Sequence, residues 1–164
     1  MLALGAAALV LAACASGSPL AASNTTGAPT NPKAEVLAAY RGMWSDLVTA
    51  ARTSDYQSPL LADHATGSAL TLFVQGLARD QLRGIVTTGE PVLDPSVTSL
   101  LPSSAPTHAT VTDCFDDTHW VEFTTSGTRA KNASAGRRAT TALLTEQAGS
   151  WKVTQLTVRA VGTC

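Results

Sequence analysis

The chain has 164 residues, 11 basic and 12 acidic side chains and a formal net charge of −1. That balance excludes the clustered basic excess of a nucleic-acid-binding surface and the polybasic patch of a membrane-surface binder. Charged residues make up 14% of the chain, against about 25% in an ordinary soluble domain, so Thr, Ser and Ala must cover the surface.

Residues 1–13 form an uncharged apolar run that stops at Leu11-Ala12-Ala13-Cys14. It is shorter than the roughly 20 apolar residues of a membrane span and fits the apolar region of an export signal followed by small residues. The segment resembles a bacterial lipoprotein signal with its lipobox. That resemblance implies a signal peptide over 1–13, removed on export. It also implies acylation of Cys14, palmitate included, and a protein held at the outer face of the cell membrane. The lipid bilayer is then a partner, engaged through acylated Cys14. Export signals open with Lys or Arg and this run has neither, so a translation start upstream of Met1 is expected. A buried N-terminal helix is the competing reading, but the Ser/Thr/Pro stretch that follows offers nothing to pack against it.

Residues 14–33 carry the lipidated cysteine and then Ser, Thr, Asn, Gly and three prolines, Pro19, Pro29 and Pro32. With Leu20 as its one apolar residue larger than Ala, the segment has too little to bury to offset its ordering entropy and reads as a tether, spanning about 25 Å as a coil. The folded domain is expected over 34–164. Val36, Leu37, Tyr40, Met43, Trp44, Leu47, Val48 and Ala51 make one apolar stripe of a long first helix, ending at Thr53-Ser54-Asp55. A short second helix over 58–62 would use Ser58 as N-cap and Pro59 at its first position. A third runs from about Thr66 to Arg83, with Leu70, Phe73, Val74 and Leu77 as its stripe and Gly84 as its stop.

From Ile85 the period changes to that of strands: 85–88, 91–93 and 97–101, then a hairpin of 108–115 with 118–125 around Asp116-Asp117. A loop over 126–136 precedes a second hairpin of 137–147 with 151–161 around Ala148-Gly149-Ser150. Helices followed by antiparallel strands give an α+β domain, with N-terminal helices packed on one face of a curved antiparallel sheet.

If lipid uses Cys14, Cys114 and Cys164 remain as an even pair in an oxidising compartment. A disulfide between them is the simplest reading, worth roughly 4 kcal/mol for a loop of about 50 residues in the chain-entropy model. Two free thiols or a metal pair are the alternatives, and the absence of a CxxC and of an adjacent His weighs against them.

The order of elements and the strand Gly149-Ser150-Trp151-Lys152-Val153 resemble the nuclear-transport-factor-2-like (SnoaL-like) cone, a cystatin-like roll. Val36 to Trp44, Thr53-Ser54-Asp55, Val92-Leu93-Asp94-Pro95, Asp113-Cys114 and Gly162-Thr163-Cys164 are similar to segments of a group of uncharacterised actinobacterial cell-envelope lipoproteins. The Ala/Thr/Arg-rich, Lys-poor composition agrees with such a source. The resemblance implies a cavity between the long helix and a concave sheet, which in some members holds acid/base residues and in others only a ligand. It carries over no catalytic residue.

Tyr40, Trp44, Asp55, Tyr56, His64 and Trp120 are the pocket candidates. His64 next to Asp63 has the chemistry of a general base, with Asp55 or Asp94 as an acidic partner; the plainer reading is a turn Asp and a helix-end pair. Tyr40, Trp44, Trp120 and Trp151 line either a ligand site or a core. Asp113, Asp116, Asp117 and His119 surround Cys114, but 113 and 114 face opposite sides of a strand and the others sit in an expected turn, so a solvated turn is preferred to a metal site. His108 is given no role. Arg137-Arg138 is too small a basic pair for a membrane patch. No serine-hydrolase elbow, phosphate loop or zinc-binding helix motif occurs. These observations call for no metal and no cofactor. They favour a non-enzymatic module that binds a small apolar ligand or an envelope protein, with a cone-fold isomerase or hydrolase as the alternative and a homodimer through the sheet face as a further expectation.

Overall fold

A computed structural model describes residues 31–130 and 135–164. The signal run, Cys14 and the tether as far as Thr30 lie outside the described residues. Helix α1 spans Pro32–Ala51, about 30 Å at 1.5 Å per residue. The Asn31 side chain caps it by accepting from the Lys33 and Ala34 N–H groups, and Pro32 fills the first position, where its missing N–H costs nothing. Helix α2 is Leu61–His64 and α3 is Gly67–Leu82. The second helix starts later than its sequence promised: the Ser58 and Pro59 carbonyls accept from the Leu61 and Ala62 N–H groups in a tight lead-in turn, so Ser58 caps nothing through its side chain. Gly84, at φ +64°, ends α3 as expected.

The strands are β1 Ile85–Thr88, β2 Ser96–Leu101, β3 His108–Asp116, β4 Val121–Thr124, β5 Arg137–Gln147 and β6 Ser150–Val158. Their antiparallel pairing departs from expectation in two respects. The β5–β6 hairpin forms around Ala148-Gly149, but β3 and β4 do not pair. β3 lies between β2 and β5, while β4 pairs with β1. Residues 91–93 contribute only an isolated bridge between Val92 and Asp116.

The consequence is a correction of the fold class. The helices and the antiparallel sheet are present, but the sheet is neither closed nor curled, so the cone or roll does not form. Four strands in the order β2-β3-β5-β6 make an open sheet, and β1-β4 is a separate two-stranded ribbon. The chain leaves β3 at Asp116, whose carboxylate accepts from the Thr118 N–H and hydroxyl. Asp117 is tied to Arg138 and to the Gly136 N–H. Those bonds anchor the corner, and the next strand starts away from β3. Gly89 (φ +79°) makes the close approach on the other side: a Cβ there would strike the His119 carbonyl oxygen.

The core lies between α1 and the inner sheet face. Val36, Tyr40, Met43 and Trp44 meet Val111, Phe115, Ala142, Leu144, Trp151 and Val153, with Phe73 and Leu77 of α3 closing one side. The edge of β6 is covered at the α2–α3 junction, where Thr66 N–H and the Ser68 hydroxyl donate to the Val153 and Thr154 carbonyls; covering an edge removes a template for foreign strands. At the far side of the sheet Cys114 and Cys164 form a disulfide. It fixes the C-terminal tail, whose Arg159 and Gly162 N–H groups donate to Ala139 and Arg137 carbonyls.

Candidate functional site

Helical spacing puts Tyr40 and Trp44 on one face of α1, and strand alternation points Phe115 inward from β3. Trp44 stacks on Phe115 at 4.5 Å between ring centroids, and Trp120 meets both edge-on at 6.2 Å. Neither the Trp44 nor the Trp120 indole N–H, both buried, has a hydrogen-bond partner of ordinary geometry among the described residues.

The Tyr40 hydroxyl, fully buried, donates to Asp113 Oδ2 at 2.9 Å, and the Asp94 N–H donates to Asp113 Oδ1 at 2.7 Å. Burial raises the Tyr40 phenol well above its ordinary range; the nearby Trp44 indole opposes the rise and Asp113 adds to it. Burial also raises the Asp113 carboxyl, against the hydrogen bonds from Asp94 and Tyr40. Asp113 lies on a strand, as expected, but its side chain is a buried joint between α1, β3 and the segment before β2. Asp116, Asp117 and His119 do sit at the turn and corner beyond it.

The other candidates do not converge with these. Asp55 lies exposed in the turn after α1 and accepts from the Gln57 N–H. Tyr56 packs on the rim of the core. Asp94 meets Asp113 through its backbone. His64 pairs through Nδ1 with Asp46 Oδ2 at 2.7 Å, not with its sequence neighbour Asp63. Its ring lies flat over Gly42, where an added Cβ would come within 2.6 Å of Nε2. Among the described residues no group of three or more His, Cys, Asp or Glu side chains stands where it could hold a metal ion. Nor is any described helix long and apolar enough to cross a membrane.

Trp120 alone of the six candidates lines a cleft of about 330 Å³ between α1, α3 and the β1–β4 ribbon. Its floor is Leu47, Ala51, Phe73, Leu77 and Trp120. Its polar rim is Arg79, Asp80, Asp117, Glu122 and Arg138. Gly76 opens one wall, since a Cβ there would meet nothing within 4 Å. Glu122 is placed by strand alternation opposite Thr87. Burial raises its carboxyl above the ordinary range and the Asp80 charge adds to the rise, with Arg83 opposing. Glu122 is not legible as a site residue in the sequence. Glu122 is one acid in a Thr-rich strand, and the one local signal for the cleft is Gly76, a glycine on the helix face beside the apolar stripe.

No family model matches the chain, and no curated protein matches it. Among solved structures the chain is similar to the intermembrane space region of the chloroplast protein ARC6, with a TM-score of 0.53 and 19% identity over 80% of this chain and 99% of that one. At that identity the likeness shows a shared arrangement of helices and antiparallel strands.

Proposed function

We propose that this protein is a membrane-anchored extracytoplasmic lipoprotein whose helix-on-sheet domain binds a small, largely apolar ligand without chemically altering it. The observation that carries the reading is the cleft. Its volume of about 330 Å³ sits at the low end of the roughly 300–1,000 Å³ of small-molecule sites, and an apolar floor with a few polar groups is their usual make-up. The disulfide supports an oxidising compartment, and hence export. An enzymatic reading through His64, Asp55 and Asp94 loses its support because these three are held apart by different partners.

Gly76→Leu tests the reading. The side chain enters open space in the cleft, and the helix gains roughly 0.5–1 kcal/mol from losing a glycine. A neutral naphthalene dye with environment-sensitive emission should bind the unlipidated Cys14→Ser chain at one saturable site, and Gly76→Leu should abolish that binding while the thermal midpoint holds or rises. Unchanged dye binding in the Gly76→Leu chain would overturn the proposal.

A second reading, self-association through the outer sheet face, is favoured by one observation. The cross-strand rows Ser96-Thr112-Thr141-Thr157 and Ser99-Thr110-Leu143-Gln155 carry no charge to oppose a second copy. Sedimentation of the Cys14→Ser chain at several concentrations, with Leu143→Lys as the disrupting variant, distinguishes a dimer from a monomer.

A further inference from the structure

The charges around the cleft are not equally occupied, and the position of a carboxylate left without a donor bears on what the cleft takes; the inference rests on the ligand-binding reading above. Asp117 is held by Arg138 at 2.9 Å and by the Gly136 N–H at 2.6 Å, and Asp80 is held by Arg83 at 2.6 Å. Arg138 also reaches the Arg159 carbonyl. Arg79 stands exposed at the rim. Glu122 is different. It is half-buried and lines the cleft, and its carboxylate accepts no hydrogen bond from any described residue, Arg83 acting on it only as a nearby charge.

A half-buried carboxylate without a donor is unfavourable, and an added donor of opposite charge relieves it. The neighbouring surface is aromatic: Trp120 and Phe73 line the same cleft, and the faces of such rings attract cations. We propose that the cleft selects an organic cation, a primary ammonium on an aromatic or aliphatic body, with the ammonium donating to Glu122 and the body lying against Trp120, Phe73 and Leu77. Asp80 adds negative potential from α3 that its partner Arg83 only partly offsets. The Asp117–Arg138 pair closes the opposite wall without net charge.

Three probes of nearly equal size separate the alternatives: 2-phenylethylamine, 2-phenylethanol and 3-phenylpropionate. Each is titrated into the Cys14→Ser chain and followed by amide chemical shifts. The amine should bind at least about 10-fold tighter than the alcohol, and the acid should bind weakest. Glu122→Gln should erase the difference between amine and alcohol and leave alcohol affinity within about twofold. Equal binding of amine and alcohol, or tighter binding of the acid (the outcome if exposed Arg79 governs), overturns the cation preference. An amine preference that survives Glu122→Gln overturns the role of Glu122. If none of the three binds, or Gly76→Leu leaves their binding unchanged, the ligand-cleft reading fails and the cation preference with it.

Discussion

Gly42 sits in the interior of α1 with the His64 ring flat against it. An Ala at an interior helix position normally stabilises by about 1 kcal/mol relative to Gly. Here the new Cβ would come 2.6–2.7 Å from three atoms of the imidazole, so the ring must swing away and the 2.7 Å bond to Asp46 must break. A hydrogen bond to a charged group is worth about 1.5–3 kcal/mol when well buried. The His64 side chain is 38% exposed and Asp46 14%, so solvent screening reduces that to about 1–2 kcal/mol. Gly42→Ala alone should therefore be neutral to destabilising by about 1 kcal/mol, the helix gain and the lost pair nearly cancelling. In a His64→Ala background the obstacle is gone, and the same substitution should stabilise by about 1 kcal/mol. The coupling across this cycle is then about 1–2 kcal/mol. Thermal or urea unfolding of the four proteins measures it, 1 kcal/mol being a shift of roughly 3–5 °C in a domain of this size. If Gly42→Ala raises the midpoint equally with and without His64, the ring does not rest on Gly42 and the α1–α2 contact is wrongly described.

The buried Asp113 carboxyl gives a pH signature. Its folded value lies above the unfolded one because burial favours the neutral form, so the folded state binds the proton more tightly. Its contribution therefore rises as pH falls toward the unfolded value of about 3.9 and is lost as pH climbs through the folded value. Asp113→Asn should remove that component from a plot of midpoint against pH; superimposable slopes would refute it. Tyr40→Phe leaves Asp113 Oδ2 without its donor and should cost about 1–3 kcal/mol at neutral pH, measured by urea unfolding. Replacing Cys114 and Cys164 by Ser should destabilise by up to about 4 kcal/mol for a sequence separation of 50, and reductant should lower the midpoint of the parent but not of the double variant. Cys14→Ser should move the protein from the membrane to the soluble fraction; retention on membranes would refute the lipid anchor.

The helices were legible because their signals are local. A 3.6-residue apolar stripe marks α1 and α3, Gly84 marks a stop, and the buried face of α1 is nearly the one its sequence outlines. The cysteine pairing was legible from parity alone. Most strands were legible as segments, since alternation is local too. Their partners were not. A period of two says which face of a strand is buried, and says nothing about which strand lies beside it. Asp116-Asp117 reads as a hairpin turn, yet Asp117 is bound to Arg138 and the Gly136 N–H across 21 and 19 residues. That long-range anchor sends β4 to β1.

The cleft follows from the same event. With β4 paired to β1, Glu122 and Trp120 come to face α3; in the expected hairpin they would have stood beside β3. The amino-acid sequence by itself determined the helices, the apolar faces and the parity of the cysteines, because each is set within a turn or two of the chain or by a count. Strand order, the open sheet, the burial of Asp113 and the composition of the cleft were decided by tertiary structure, because each depends on a contact between residues 19 or more positions apart, which no local pattern encodes.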